Sequence, residues 1–201
     1  MVLRSYIKIW PLIFAFCLFN SCSNDDDDNG ANFSATQFVD PRDGQTYDIV
    51  TIGTQTWFAQ NLNYDTGDDA SACYDDNSEN CFIYGRLYTG VGAQTVCPEG
   101  WHLPSKEEWE TLIDYLGGID AAHIFLRPFA MQQGELVGFN LLSGGRFFAG
   151  YKDIGEKGYY YTSTDGGLPN SFRYFDIEPE VEVSSGTSSS AIMNSCRCVK
   201  D

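Results

Sequence analysis

The chain has 201 residues, with 12 basic against 28 acidic side chains and a formal net charge of −16. That length accommodates one domain plus a leader, and 43% hydrophobic with 15% aromatic residues suffices for a packed core. Such an acidic excess excludes charge-driven binding to nucleic acid or anionic lipid, leaving neutral glycan, protein or a cation as ligand classes.

The N-terminus reads as an export signal. Arg4 and Lys8 form a charged region, and the apolar run 9–19 is too short to span a bilayer. Leu18-Phe-Asn-Ser-Cys22 resembles a bacterial lipobox, with small Ser21 before the cysteine. Residues 1–21 are therefore expected to be a lipoprotein signal peptide and Cys22 the lipidated residue. The alternative is an ordinary secretory signal with Cys22 incidental. Residues 22–32 carry four consecutive aspartates, which repel one another and form a solvated, flexible tether. That run also resembles the acidic signal that sends Bacteroidota lipoproteins to the outer face of the outer membrane. The resemblance implies a lipid-anchored protein of the outer membrane, facing the cell exterior. Losing Arg4 and Lys8 with the leader leaves 10 basic against 28 acidic side chains, a net charge of −18.

Residues 33–201 read as a single domain. Within 33–63 the pattern is strand and turn: Tyr47-Asp-Ile-Val-Thr-Ile, a Gly53-Thr54 turn and Gln55-Thr-Trp-Phe-Ala make a hairpin, with Trp57 in the core. Residues 64–81 read as an acidic loop in which Asp68, Asp69, Asp75 and Asp76 are candidate calcium ligands. The spacing of a calcium-binding loop is absent, and a plain surface loop is the alternative. Tyr84-Gly-Arg-Leu-Tyr leads into the strongest helix signal, residues 105–116. Ser105 and Glu108 form a capping box, early glutamates suit the helix dipole, and Trp109, Leu112, Ile113 and Leu116 make one apolar face. Gly117-Gly118 supplies the stop.

A second short helix is expected over 120–127, ended by Pro128, then a loop over 134–137. Strands are expected at Phe139-Asn-Leu-Leu, Gly145-Arg-Phe-Phe, Tyr159-Tyr-Tyr-Thr-Ser, Phe172-Arg-Tyr-Phe-Asp-Ile, Val181-Glu-Val and within 191–199, with a serine-rich turn over 184–190. Short helices with a twisted antiparallel sheet of short strands indicate an α+β fold.

Several ordered motifs carry a family resemblance: Asp43-Gly-Gln-Thr-Tyr, Ile52-Gly-Thr-Gln-Thr-Trp-Phe-Ala-Gln-Asn-Leu-Asn-Tyr, Cys73-Tyr-Asp-Asp-Asn-Ser-Glu-Asn-Cys81, Tyr84-Gly-Arg-Leu-Tyr-Thr, Gly100-Trp-His-Leu-Pro-Ser-Lys-Glu-Glu-Trp and Arg197-Cys-Val-Lys-Asp. Together these resemble the Fibrobacter succinogenes major paralogous domain over 38–201. Leu103-Pro-Ser-Lys-Glu-Glu-Trp-Glu is more distantly similar to the formylglycine-generating sulfatase-modifying family. The resemblance implies a C-type-lectin-like fold and a cell-surface setting, without an activity.

Cys17 leaves with the leader and Cys22 takes lipid, so five cysteines remain in an oxidising compartment. Cys73 and Cys81 bracket a polar loop and are expected to pair, contributing about 2.5 kcal/mol through loop entropy. Cys97 is expected to bond Cys198, closing a loop of about 100 residues worth about 4.7 kcal/mol. The family pattern has an apolar residue at position 196 and so implies a buried free thiol for Cys196. Because Cys196 and Cys198 share one strand face, a Cys97–Cys196 bond stays open as the alternative.

No catalytic constellation is visible. His102 and His123 are the only histidines, and His102 is expected to make a structural hydrogen bond to nearby backbone. Gly-x-Ser-x-Gly, His-Glu-x-x-His and Cys-x-x-Cys are all missing. The active-site cysteine spacing of the formylglycine-generating enzymes is missing too. Aromatics crowd the C-terminal third, and strand alternation sends about half of them outward. Tyr160 and Tyr174 are the candidate ligand-binding rings, suited to sugar faces or a protein partner. The expectation is a surface-exposed, lipid-anchored binding or adhesion module for a glycan or protein ligand, without nucleic acid, cofactor (calcium aside) or enzymatic activity. Trp101, His102, Trp109 and Arg86 are then scaffold. The alternatives are a structural subunit of a surface assembly or pilus and a polysaccharide-acting enzyme.

Overall fold

Ser105 starts the main helix as its sequence requires: its Oγ accepts from the Glu108 amide at 3.1 Å while its own amide donates to Glu108 Oε2 at 2.7 Å. The helix runs Lys106–Tyr115 with Leu116 at its end. Gly117 and Gly118 follow at φ 102° and 89°, a backbone that a Cβ would disfavour. Trp109, Leu112, Ile113 and Leu116 are all buried. The computed structural model describes residues 36–126, 128, 131–132, 135–136, 138–178, 182–189 and 191–201. The expected leader, the tether with Cys22, and Gly134, Val137, Val181 and Ser190 lie outside the described residues.

The architecture is α+β. In the first, five-stranded sheet the order is Thr36–Val39, Thr46–Ile52, Gln55–Phe58, Val199–Lys200, Trp101–His102. The expected hairpin is thus present, turned at Gly53 with φ 61°. The C-terminal strand inserts between that hairpin and the segment that precedes the main helix. The larger, eight-stranded sheet runs Glu182–Ser189, Ser171–Glu178, Gly158–Asp165, Gly144–Phe147, Met193–Ser195, Leu87–Thr89, Ser71–Ala72, with Tyr151–Ile154 paired to Gly144–Phe147. Its pairings are antiparallel apart from short parallel contacts of Gly158 with Gly145 and Tyr160 with Ser195. The main helix packs its apolar face into a core of Trp57, Phe139, Tyr160, Phe175 and Ile177. A second cluster gathers Tyr47, Phe58, Tyr88, Trp101 and Tyr161.

Disulfides join Cys73 to Cys81 and Cys97 to Cys198, while Cys196 is a buried free thiol. The Cys97–Cys198 bridge ties the start of the helical segment to the C-terminal strand.

Five segments depart from the sequence reading. Within the expected loop over 134–137, Glu135–Leu136 is a short strand paired with Met131–Gln132. Residues 64–81 are not a plain loop: Ser71–Ala72 is a strand, and Asn77 caps a helix over Ser78–Tyr84 by accepting from the Glu79 amide at 3.0 Å. Phe139 to Leu142 form no strand, although Phe139 and Leu141 are buried. The carbonyls of Phe139 and Asn140 instead accept from the Arg197 guanidinium, and Asn140 sits at φ 48°. The serine-rich segment read as a turn is the strand Glu182–Ser189, in register with Ser171–Glu178 along its whole length. A long neighbouring ladder there overrides the turn preference of serine and glycine. The second helix is Ile119–Leu126 and starts one residue earlier than expected, with the expected end at Arg127 outside the described residues.

Candidate ligand-binding face

Two long strands of the larger sheet decide which aromatics are available. Along Gly158–Asp165 and Ser171–Glu178 side chains alternate between faces. Tyr160, Phe175 and Ile177 point into the core beside Trp109, whose ring lies 5.7 Å from that of Tyr160 and 5.8 Å from that of Phe175. Tyr160 is fully buried and donates its hydroxyl to the Leu142 carbonyl at 2.5 Å. The expectation that Tyr160 meets ligand is therefore corrected: its strand phase turns it inward. Tyr174 has the opposite phase. It is half-buried, and its ring stands edge-on to Tyr159 at 5.9 Å. A Cβ on Gly186 would come within 2.7 Å of the Tyr174 hydroxyl, so the missing side chain lets Tyr174 lie across the edge strand.

The same outer face continues into the Gly144–Phe147 and Tyr151–Ile154 hairpin. Its turn closes through the Phe148 amide on the Gly150 carbonyl at 2.8 Å, with Ala149 at φ 51° and Gly150 at φ 124°. Phe148 at the tip is 46% exposed. The Arg146 guanidinium carbon lies 4.0 Å from the centroid of Tyr159 and 5.6 Å from that of Phe148, and Lys152 Nζ lies 5.1 Å from Phe148. Cations over ring faces at these distances are attracted by the aromatic quadrupole. The Tyr159 hydroxyl donates to Asp153 Oδ2 at 2.7 Å. Burial first, and then the Asp153 hydrogen bond, push the Tyr159 pKa up, so the phenol stays a donor at neutral pH. On the reverse of the hairpin Phe147 and Tyr151 stand edge-on at 5.1 Å, with Tyr74 4.9 Å beyond. The sequence reading missed Arg146, Phe148 and Lys152. The available signal was Arg-Phe-Phe-Ala-Gly-Tyr-Lys, in which Ala-Gly can turn a hairpin and set its two cations side by side.

The acidic loop is used differently from the calcium expectation. Asp68 Oδ1 accepts from Thr66 Oγ1 at 2.7 Å and from the Ala70 amide at 2.9 Å. These bonds, the Thr66 one foremost, lower its pKa. Asp76 Oδ1 accepts from the Tyr151 hydroxyl at 2.9 Å, and Asp75 and Asp76 both take left-handed backbone. Asp69 is exposed. Among the described residues no three His, Cys, Asp or Glu side chains form a group that could hold a metal ion.

The motif residues serve the scaffold. Trp101 and Trp109 are buried, and Arg86 pairs with Asp65 at 2.5 Å. His102 finds carboxylates rather than backbone: Nε2 lies 2.9 Å from Glu108 Oε1 and Nδ1 lies 2.7 Å from Asp201 Oδ1. Glu108 thus holds the helix cap and the imidazole together.

The sequence model of the Fibrobacter succinogenes major domain matches residues 50–200. The chain belongs to this family. That stretch spans the main helix, both disulfides and every residue of the aromatic and cationic face. No curated protein and no solved structure matches the chain.

Proposed function

We propose that this member of the Fibrobacter succinogenes major domain family is a non-catalytic binding module, anchored by lipid at Cys22 and displayed on the outer face of the outer membrane. Its ligand is a glycan or a protein of that surface environment. The lipobox-like leader and the acidic tether support the location. The observation that carries the binding reading is the exposed hairpin set of Phe148, Arg146 and Lys152, backed by the buried Tyr159 ring with half-buried Tyr174 beyond it, on one face of the larger sheet. Rings beside cations and hydroxyls offer stacking and hydrogen bonding together, which is what sugar faces and protein hot spots use. The α+β architecture with its two disulfides supports the C-type-lectin-like reading of the fold.

The test is a glycan array probed with the purified full chain and with its Phe148→Ala variant, each with calcium and with chelator. Specific signal that the variant loses supports the reading. Signal unaffected by the variant moves the site elsewhere, and loss under chelation reinstates a metal requirement. A second reading, a structural subunit of a surface assembly, is favoured by the Glu182–Ser189 strand at the edge of the larger sheet, which pairs on one side only among the described residues. A strand edge without a strand partner can serve as a template for a strand from another copy. A blank array together with concentration-dependent oligomers in size-exclusion chromatography selects that reading instead.

A further inference from the structure

Arg146 and Lys152 are direct partners across the Gly144–Phe147 and Tyr151–Ile154 strands. Like charges opposed in this way weaken an antiparallel pair. Their surroundings offset the repulsion in part, through the Tyr159 ring under Arg146 and one Asp153 oxygen. Arg146 Nε makes no hydrogen bond. Its nearest paired carboxylate oxygen, Asp153 Oδ2, is 4.0 Å away and already accepts from the Tyr159 hydroxyl. Lys152 is exposed and pairs with no carboxylate among the described residues, in a chain with 28 acidic side chains to draw on. Both cations converge instead on one ring, the half-exposed Phe148. Ala149 holds that ring at the tip through a left-handed backbone, a conformation that the tight hairpin turn imposes.

We infer that this hairpin is a subsite for an acidic sugar, a pyranose bearing a carboxylate or a sulfate. The inference rests on the binding reading above and specifies its ligand class. The sugar's C–H face lies on Phe148, and its anionic group lies between Arg146 and Lys152, where it removes their mutual repulsion. A neutral sugar gains the ring contact alone. The chain's overall negative charge disfavours encounter with long polyanions, so the subsite suits one or two charged residues of a chain end or a short oligosaccharide.

The test is isothermal titration calorimetry on the purified full chain with trigalacturonate, a sulfated chondroitin tetrasaccharide, maltotriose and triglutamate. Lys152→Gln and Phe148→Ala are the variants, and Lys200→Gln, an exposed cation on the other sheet, is the control with the same change in net charge. Expected is binding of trigalacturonate or the sulfated sugar, which identifies the anion, with maltotriose at least about tenfold weaker. Lys152→Gln and Phe148→Ala each weaken it by about tenfold, and Lys200→Gln leaves it unchanged. Lys152 is exposed, so its variant folds normally and near-ultraviolet circular dichroism verifies this. Lys152→Gln behaving like Lys200→Gln overturns the subsite. Maltotriose binding as tightly as the acidic sugars overturns the acidic class while the glycan reading stands. Triglutamate matching the sugars overturns the sugar component in favour of an acidic peptide. No binding by any of the four overturns the inference, and the array then decides the wider reading on its own.

Discussion

Arg197 is fully buried and takes part in no ion pair among the described residues. Its guanidinium donates to the carbonyls of Phe139 at 2.6 Å and Phe58 at 3.0 Å and to Asn61 Oδ1 at 2.6 Å, and lies 4.7 Å from the Phe139 ring. Burial lowers its pKa to about 10, which leaves it charged at neutral pH. This one side chain stitches together the hairpin, the irregular segment after the second helix and the C-terminal strand. Replacing Arg197 by Met strands those acceptors without donors and is expected to cost about 3 kcal/mol or more. A urea unfolding midpoint equal to that of the parent would refute it. His102 gives a pH signature. Burial works against its charge, but hydrogen bonds to Asp201 and Glu108 and their charges outweigh burial and raise its pKa above 6.5. A raised folded-state pKa contributes stability that is fully present below the unfolded value and is lost as pH rises through the folded one. The melting temperature is therefore expected to fall modestly between pH 6 and pH 8, since the group is exposed enough for solvent to screen it. His102→Gln should flatten that slope, and an unchanged slope would place its origin elsewhere. The sequence marked His102 and Arg197 as motif residues, but spacing cannot show which carboxylate or carbonyl a side chain will meet: Arg197 and Phe58 stand 139 positions apart.

The elements that were legible are those whose signals are local. The main helix carries its caps, its stop and its apolar face within fourteen residues, from Ser105 to Gly118, and the first hairpin carries its turn at Gly53. The Glu182–Ser189 strand and the irregular Phe139–Leu142 stretch were misread because a distant partner decides each, a neighbouring ladder in one and Arg197 in the other. The aromatic strands were half legible. Alternation says that some rings face outward, while the phase that buries Tyr160 and leaves Tyr174 half-buried depends on where the main helix docks. That docking centres on Trp109, whose ring lies within 6.0 Å of Trp57, Phe139, Tyr160 and Phe175. Trp109→Ala is expected to cost about 3–5 kcal/mol and to lower the melting temperature accordingly. Ligand affinity of the molecules that remain folded should hold, because Phe148 and Lys152 lie on the far side of the larger sheet. Unchanged thermal stability in this variant would remove Trp109 from the scaffold.

At the scale of the molecule, the chain closes on itself through its last five residues. Arg197 fills the buried acceptors, Cys198 bonds Cys97, Val199–Lys200 pairs with both Gln55–Phe58 and Trp101–His102, and Asp201 reaches His102. The contacts that complete the first sheet therefore join segments roughly one hundred or more positions apart. Pairings of such separation close large loops before they gain stabilising contacts, which makes folding slow and leaves the hairpin's inner edge open until the end of the chain arrives. A variant ending at Cys196 is expected to show no cooperative thermal transition and to bind an apolar dye, as a chain with secondary structure but unfixed packing does. Lys200→Gln, which keeps the strand and changes only an exposed charge, should melt like the parent. A truncated chain that still melts cooperatively near the parental temperature would show that the larger sheet and the main helix hold the fold without the C-terminal strand. The first sheet would then be an appendage rather than the closure of the core.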